Sequence, residues 1–382
     1  MAATGFSDIV QRARDLVPLI EGGRAFSEEK ARLSPEVLTA CREAGFFGLA
    51  APAEVGGVEA TLVEIFDVLQ VVAAADPSTA WVILNSQACA RAAAVIDPQH
   101  WPEVYRQPLG PYGLSAAPVG RLQPDGAGGF TLSGTWPLMT GVLDAQFAVV
   151  FCRLRRPDEK PTTCQAVIPT AQLSVNEVWQ NAVAMRGTGS HEVTATDLSV
   201  PEGLIMMPRA KRHIDRPLYR TGAYGVASAV NSAVPIGVLQ AAVLSAGAVL
   251  KDRVSSIFGQ TAPNSTAMLE LMAEAWLSLE HLRLGTRAAL DALWDYAERD
   301  EPAPASVRAT AAGSPFQAVD VARDIISRLY ARSSRAAFFA GHPLERALRD
   351  IHAIGYGLDV LRPLHHDTGR VALGLDPQTP GY

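Results

Sequence analysis

Apolar positions along the chain change their spacing twice, and the changes divide it into three blocks. In the first, apolar side chains recur three and four residues apart. Leu62, Ile65, Phe66, Leu69 and Val72 make a single stripe over residues 61–75, the pattern of an amphipathic helix. Ser34 before Pro35 and Glu36 reads as an N-cap with proline at the first helical position, and Leu38 and Cys41 continue that helix on one face. Gly45 and Gly48 loosen the chain, and PAEVGG at 52–57 is a turn that no helix runs through.

From residue 111 to 208 the period shortens and turn residues crowd in. Phe130 and Leu132 alternate with smaller or polar neighbours after a glycine-rich turn at 125–129, and 147–151, 164–168 and 193–200 complete at least four strands. Short spacing between strands predicts a small antiparallel barrel or sandwich rather than βαβ units. Helical spacing returns near residue 216. Leu269, Met272, Trp276, Leu279, Arg283, Leu290 and Leu293 mark a long helix that the patch 300–304 ends, and 315–339 and 344–361 predict two more. The expected fold class is α+β multidomain: an N-terminal all-α domain over 1–110, a central antiparallel β-barrel or sandwich over 111–215, and a C-terminal four-helix bundle over 216–382.

Composition narrows the function. With 48% hydrophobic and 19% charged residues the chain is globular in type, and 33 basic against 39 acidic residues leave a net charge of −6 with no basic stripe, so nucleic acid is not an expected partner. Cys41, Cys89, Cys152 and Cys164 are scattered without a CxxC pair, which signals neither a metal site nor a disulfide framework. With no basic segment leading into an apolar one at the N-terminus, a reducing cytoplasm is expected. The uncharged stretch 221–250 is interrupted by Pro235 and carries Asn231, Gln240, glycines and serines, so it is expected to be a buried helix and not a membrane span.

Several short strings stand in a telling order: Arg42-Glu43-Ala44-Gly45-Phe46-Phe47, the PAEVGG turn, DPSTAW at 76–81, GGF at 128–130 leading into SGTWPLMTG at 133–141, MRGTGSH at 185–191, PLER at 343–346 with Arg349-Asp350, and GRVALG at 369–374. In order and spacing the chain resembles the acyl-CoA dehydrogenase superfamily, and within it the branch of two-component, group D flavin-dependent monooxygenases. The resemblance covers nearly the whole chain. It implies reduced FAD or FMN delivered by a separate flavin reductase, O2 as co-substrate, a C4a-(hydro)peroxyflavin as oxygenating species, and a homo-oligomer, dimeric or tetrameric.

The same resemblance assigns residues. Ser115, Trp136, Met139 and Thr140 line the isoalloxazine, with Thr140 offering its hydroxyl or backbone N–H to the N5 region. Arg186, Thr188 and Ser190 form a glycine-flanked loop suited to phosphate or the flavin edge, and Arg253 with Phe258 reaches the flavin phosphates of a neighbouring subunit. Trp81 either faces the substrate cavity or is a core tryptophan, Trp136 is either a flavin contact or a core aromatic, and the 185–191 loop is otherwise a polar hairpin.

The segment RDIHAIGYGLDVL at 349–361 separates two chemistries. Dehydrogenation of an acyl thioester needs a carboxylate base, yet no glutamate occurs from Ile351 to Tyr382, and Asp359 is a short-armed substitute. Hydroxylation in a dry pocket often uses a histidine, which the resemblance places at position 357, where this chain has Gly357. His352 and Tyr356, an i,i+4 pair, are the substitutes, with His352 orienting Tyr356 or serving structure alone; His365 and His366 follow Pro363 at a solvated helix start. Without a base the expected substrate is one needing little deprotonation: a small aromatic or indole-like heteroaromatic, an amine or a sulfide. A FAD-dependent dehydrogenase or oxidase is the alternative, and a scaffold that has lost its flavin a third reading.

Overall fold

A computed structural model describes residues 7–156, 159–208, 210–222, 225–251, 265–333 and 335–379. The helix starts that the sequence marks are satisfied caps. Ser34 Oγ accepts from the Val37 amide at 3.2 Å at the head of Pro35–Glu43 (α2), which follows Asp8–Lys30 (α1). Thr61 and Glu64 form a reciprocal capping box, 3.2 and 2.9 Å, at the head of Leu62–Ala75 (α3). Asp76 Oδ2 accepts from the Thr79 amide at 2.8 Å and so opens Pro77–Ala92 (α4), and the short Trp101–Val104 (α5) closes the block.

Among the described residues seven strands follow: Gly113–Pro124 (β1), Gly129–Met139 (β2), Phe147–Leu154 (β3), Thr162–Pro169 (β4), Ser174–Asn176 (β5), His191–Pro201 (β6) and Ile205–Met206 (β7). They pair in the order β5-β6-β2-β1-β3-β4-β7. Every pairing is antiparallel except β1 with β3, so the sheet is mixed. The cause is the path after β2: a hairpin closed by Asp125 Oδ1, which accepts from Ala127 and Gly129 at 2.7 and 2.9 Å, sends β2 back along β1, and the chain then crosses to the other edge of β1 before β3 begins. The end of β2 and the start of β1 therefore meet beneath that crossing.

The last block comprises Pro217–Arg220 (α6), Ala233–Lys251 (α7), Thr266–Glu298 (α8), Ala305–Arg332 (α9), Pro343–Gly357 (α10) and Arg362–Ala372 (α11). Its helices do not keep a separate core. Leu62, Ile65 and Phe66 of α3 belong to one hydrophobic cluster with Val234, Ile236 and Leu239 of α7 and Ile325 and Ile326 of α9, while the sheet builds a second cluster around Trp136, Leu132, Val149 and Val167. Helices α3 and α7 approach so closely that a Cβ at Gly237 would lie 2.6 Å from Ala73 Cβ and 2.7 Å from the Gln70 carbonyl oxygen. Gln70 Nε2 donates to Gln240 Oε1 at 2.9 Å beside that crossing. Among the described residues one stretch, Ala229–Lys251, has the length and apolarity to cross a membrane, and 61% of it is buried against the rest of the protein.

Two helical expectations shift. Pro315 lies inside α9, which begins at Ala305 after Pro304; the apolar run from 315 hid a helix whose first turns are alanine-rich. On α8 the buried stripe is Leu271, Ala275, Leu279, Leu290 and Leu293, whereas Leu269 and Trp276 stand exposed.

Candidate functional site

Beyond the end of β2, Thr140 bridges back to β1, its amide donating to the Leu114 carbonyl at 3.2 Å. Residues 185–190 cross the same end, and the Gly141 amide donates to the Thr188 carbonyl at 2.9 Å. Met185 and Gly189 both take positive φ, 50° and 51°, around a single 3₁₀ turn, Arg186–Thr188. That fold of the loop turns Thr188 and Ser190 toward Thr140. Thr188 Oγ1 donates to the Met185 carbonyl at 2.8 Å, Thr188 Oγ1 and Ser190 Oγ lie 2.9 Å apart, and Ser190 Oγ and Thr140 Oγ1 lie 3.1 Å apart. All three hydroxyls are buried. Thr188 edges a narrow crevice, lined also by Val82, Gly141 and the Arg32–Asp144 ion pair. Burial pushes the Asp144 carboxyl up, against the pull of Arg32.

What holds the loop is a buried charge cluster. Asp350 Oδ1 accepts from the Met185 amide at 2.6 Å. Burial raises the Asp350 carboxyl to about 6, although Arg346 and that amide oppose it. Arg346 lies 3.5 Å from Asp350 and 3.2 Å from Glu28 and is paired with Asp76, so one guanidinium ties α10 to α1 and to the cap of α4. Burial by itself would lower Arg346; the carboxylates of Asp76, Asp350 and Glu28 outweigh it and hold the group above its ordinary value. Gly187 completes the anchorage, because a Cβ there would come within 2.9 Å of both Ser27 and Ser78.

Helix α4 presents Ser78, Val82 and Ser86 to this region at i, i+4 and i+8: Ser78 against Gly187, Val82 against Gly141, and Ser86 Oγ bonded to the Tyr112 amide at 3.1 Å. Trp81 flanks that face and spans to α10. Its ring fills the space over Gly357, where a Cβ would lie 2.7 Å from Trp81 Cζ2. Gly357 is seven residues beyond Asp350 and therefore on the same, inward side of α10. His352 and Tyr356 are not. Both are exposed, Tyr356 at 71%, on the side of α10 facing away from Asp350, so the structure does not bring them to the hydroxyl cluster.

Other expected residues are redistributed by strand geometry. Leu114 pairs with Thr140 and shares its face, which turns the next residue, Ser115, to the opposite side. A bulge between Trp136 and Met139 breaks the alternation, and both side chains enter the sheet core with no exposed surface. The Trp136 indole donates to the Phe151 carbonyl at 3.0 Å and lies against Gly120. As cofactor contacts, Ser115, Trp136 and Met139 are thus replaced by core roles. Arg186 is a latch and not a free cation: its guanidinium donates to the carbonyls of Glu28, Gln180 and Ala182. Arg253 and Phe258 lie outside the described residues. His365 stacks on Phe316 with centroids 4.4 Å apart, and Asp359 is exposed and paired with Arg362. Val82 was not singled out for the site, and Asp76 and Arg346 stood in the quoted strings DPSTAW and PLER without a role of their own. Local signals for their places were the i,i+4 series on α4 for Val82 and the cap before Pro77 for Asp76.

Residues 14–96 match the N-terminal domain of acyl-CoA dehydrogenase and residues 229–356 its C-terminal domain. The chain belongs to the acyl-CoA dehydrogenase superfamily, and within it to the flavin-dependent monooxygenases. Among its relatives, an indole-3-acetate monooxygenase of Pseudomonas putida is 24% identical over 99% of this chain and 95% of that one. The oxygenase subunit HsaA, a flavin-dependent monooxygenase of Rhodococcus jostii (strain RHA1), is 27% identical over 90% and 92%. The solved structure of XiaF from Streptomyces sp. in complex with FADH2 and glycerol superimposes with a TM-score of 0.89 at 25% identity, covering 98% of this chain and 97% of that one.

Proposed function

We propose that this chain is the oxygenase component of a two-component system. It takes reduced FAD or FMN from a separate reductase and inserts one atom of O2 into a small aromatic, indole-like, amine or sulfide substrate, the other atom leaving as water. Bound reduced flavin supplies the two electrons that this stoichiometry requires. The polar groups here suit such a cofactor: three buried, mutually bonded hydroxyls stand together at Thr140, Ser190 and Thr188, and Thr188 edges a crevice whose other walls include apolar Val82 and Leu143. In this reading Thr140 meets the polar edge of the ring and Trp81 bounds the substrate, while Arg186 and the Asp350 cluster hold the loop in place.

The observation that carries the substrate class is the Trp81–Gly357 contact. The site-facing position of α10 offers no acid or base, and an indole ring occupies its space. A substrate whose own electrons attack the activated oxygen needs no proton acceptor there, whereas a phenol gains from one. Asp359, exposed and bonded to Arg362, is not available as the base of a dehydrogenase, which counts against that second reading.

A homo-oligomer is part of the proposal. Leu269, the adjacent Trp276 and Leu277, and Leu284 of α8 are each more than half exposed about two helical turns apart, an apolar stripe suited to a second copy. Four free, buried cysteines accord with a cytoplasmic setting.

The test is turnover with reduced FMN or FAD under ¹⁸O2, offering indole, a thioether and 4-hydroxyphenylacetate. Labelled product is expected from indole or the thioether well ahead of the phenol. Efficient labelling of the phenol alone removes the substrate class, and reduction of an external acceptor by an acyl thioester without any reductase removes the monooxygenase reading.

A further inference from the structure

The three buried hydroxyls are joined in a chain whose direction can be worked out proton by proton. Thr188 Oγ1 is 2.8 Å from the Met185 carbonyl oxygen, which has no hydrogen to give, so the Thr188 proton lies in that contact. The 2.9 Å contact between Thr188 and Ser190 then needs the Ser190 proton, and the 3.1 Å contact between Ser190 and Thr140 needs the Thr140 proton. All three protons point inward, toward Met185. Thr140 Oγ1 is left with lone pairs only, and it can accept a further hydrogen bond but not donate one.

We propose that Ser190 and Thr188 are positioning residues that fix the Thr140 hydroxyl as an acceptor, so that the site selects flavin in its reduced state. The inference rests on the reading that the flavin's polar edge meets Thr140. Reduced flavin carries a hydrogen on N5 and donates; oxidised flavin has a bare lone pair on N5 and must accept. An inward-polarised Thr140 pairs with the first and sets lone pair against lone pair with the second. The far end of the chain is fixed independently. Met185, whose carbonyl terminates it, is held by its amide on Asp350 Oδ1 at 2.6 Å, and the same carbonyl accepts the Trp179 indole N–H at 3.1 Å. The direction of the chain is thus set by backbone that the buried charge cluster immobilises, on the side remote from the ligand. A dehydrogenase, which must hold oxidised flavin to begin its cycle, requires the opposite polarity.

The experiment is anaerobic equilibrium binding of oxidised and of chemically reduced FMN and FAD to the wild-type chain and to the variants Thr188→Val, Ser190→Ala and Thr188→Ser. The readout is the ratio of the two dissociation constants within each protein, in which any general weakening of the site cancels. Wild type is expected to bind reduced flavin at least about tenfold more tightly, equivalent to about 30 mV in the two-electron couple. In Thr188→Val the Ser190 hydroxyl loses its acceptor and turns to Thr140, freeing the Thr140 proton to point outward; in Ser190→Ala the Thr140 proton is free directly. Both ratios are expected to fall severalfold toward unity, chiefly through tighter binding of oxidised flavin, and Thr188→Ser is expected to restore the wild-type ratio. Unchanged ratios in Thr188→Val and Ser190→Ala, with flavin still bound, overturn the positioning role and leave the proposed function standing. Should Thr188→Val not fold, Ser190→Ala decides the matter by the same ratio. Failure of wild type to bind either flavin overturns the proposed function itself.

Discussion

At the scale of single residues, two glycines show what a missing side chain does here. A Cβ at Gly120 would stand 2.4 Å from Trp136 Cζ2 and 2.9 Å from Cys152 Cβ, in a core with no room to yield. Gly120→Ala is expected to lower stability by about 1–3 kcal/mol, seen as a lower urea midpoint with an unchanged slope. At Gly357 the obstacle is the tip of a half-buried indole, which is able to swing. Gly357→Ala is expected to leave the free energy of urea unfolding within about 1 kcal/mol of wild type while changing KM for the preferred substrate. An unchanged KM would show that Trp81 does not bound the substrate. Thr140, Thr188 and Ser190 entered through the family resemblance, with the glycine-flanked loop at 185–191 as local support for the last two. Trp136 and Met139 were misplaced because one bulge breaks the alternation of core-facing positions, and nothing in WPLMTG announces it; Ser115 was misplaced because the face it shares is set by the pairing of Leu114 with Thr140.

At the scale of elements, Arg346 is the joint between α1, α4 and α10. Arg346→Met leaves Asp76 and Asp350 buried without their cation, and a loss of about 3–5 kcal/mol is expected on denaturant unfolding. Asp350 adds a pH dependence of definite sign. Its folded value, about 6, lies above the ordinary 3.8, so between those values the unfolded chain ionises first and binds fewer protons than the native one. Stability contributed by this group is therefore full below pH ~4, falls as pH rises to ~6, and is level above. Comparing urea midpoints of wild type and Asp350→Asn from pH 4 to 7, that slope is expected in wild type and absent from the variant. An identical slope in both proteins would assign it to other groups. The capping residues Ser34, Thr61 and Asp76 stood plainly in the sequence, since a cap is a local event. The pairing of Asp76 with Arg346 did not, because 270 residues separate them.

At the scale of the whole molecule, the exposed face of α8 is the feature a solitary chain leaves unexplained. The paired substitution Trp276→Glu and Leu277→Glu is expected to shift sedimentation to a smaller species with helix content unchanged. A wild-type chain already monomeric at micromolar concentration would remove the homo-oligomer from the proposal. The helix, sheet, helix order follows from the two changes of hydrophobic period. That the two helical blocks share a core does not follow from it, because Gly237 against Ala73 and Gln70 is a contact between segments that periodicity treats separately.

By itself the sequence determined the period of each block, the caps and turns that bound its elements, and the loop that carries Thr188 and Ser190, because each depends on residues within a few positions of one another. Only the tertiary structure decided which strand runs parallel to which, that Trp81 occupies the space over Gly357, and that an inward chain of hydroxyls ends on a carbonyl held by Asp350. Those outcomes hang on volume and on the destination of individual protons, and both are settled by neighbours that arrive from distant parts of the chain.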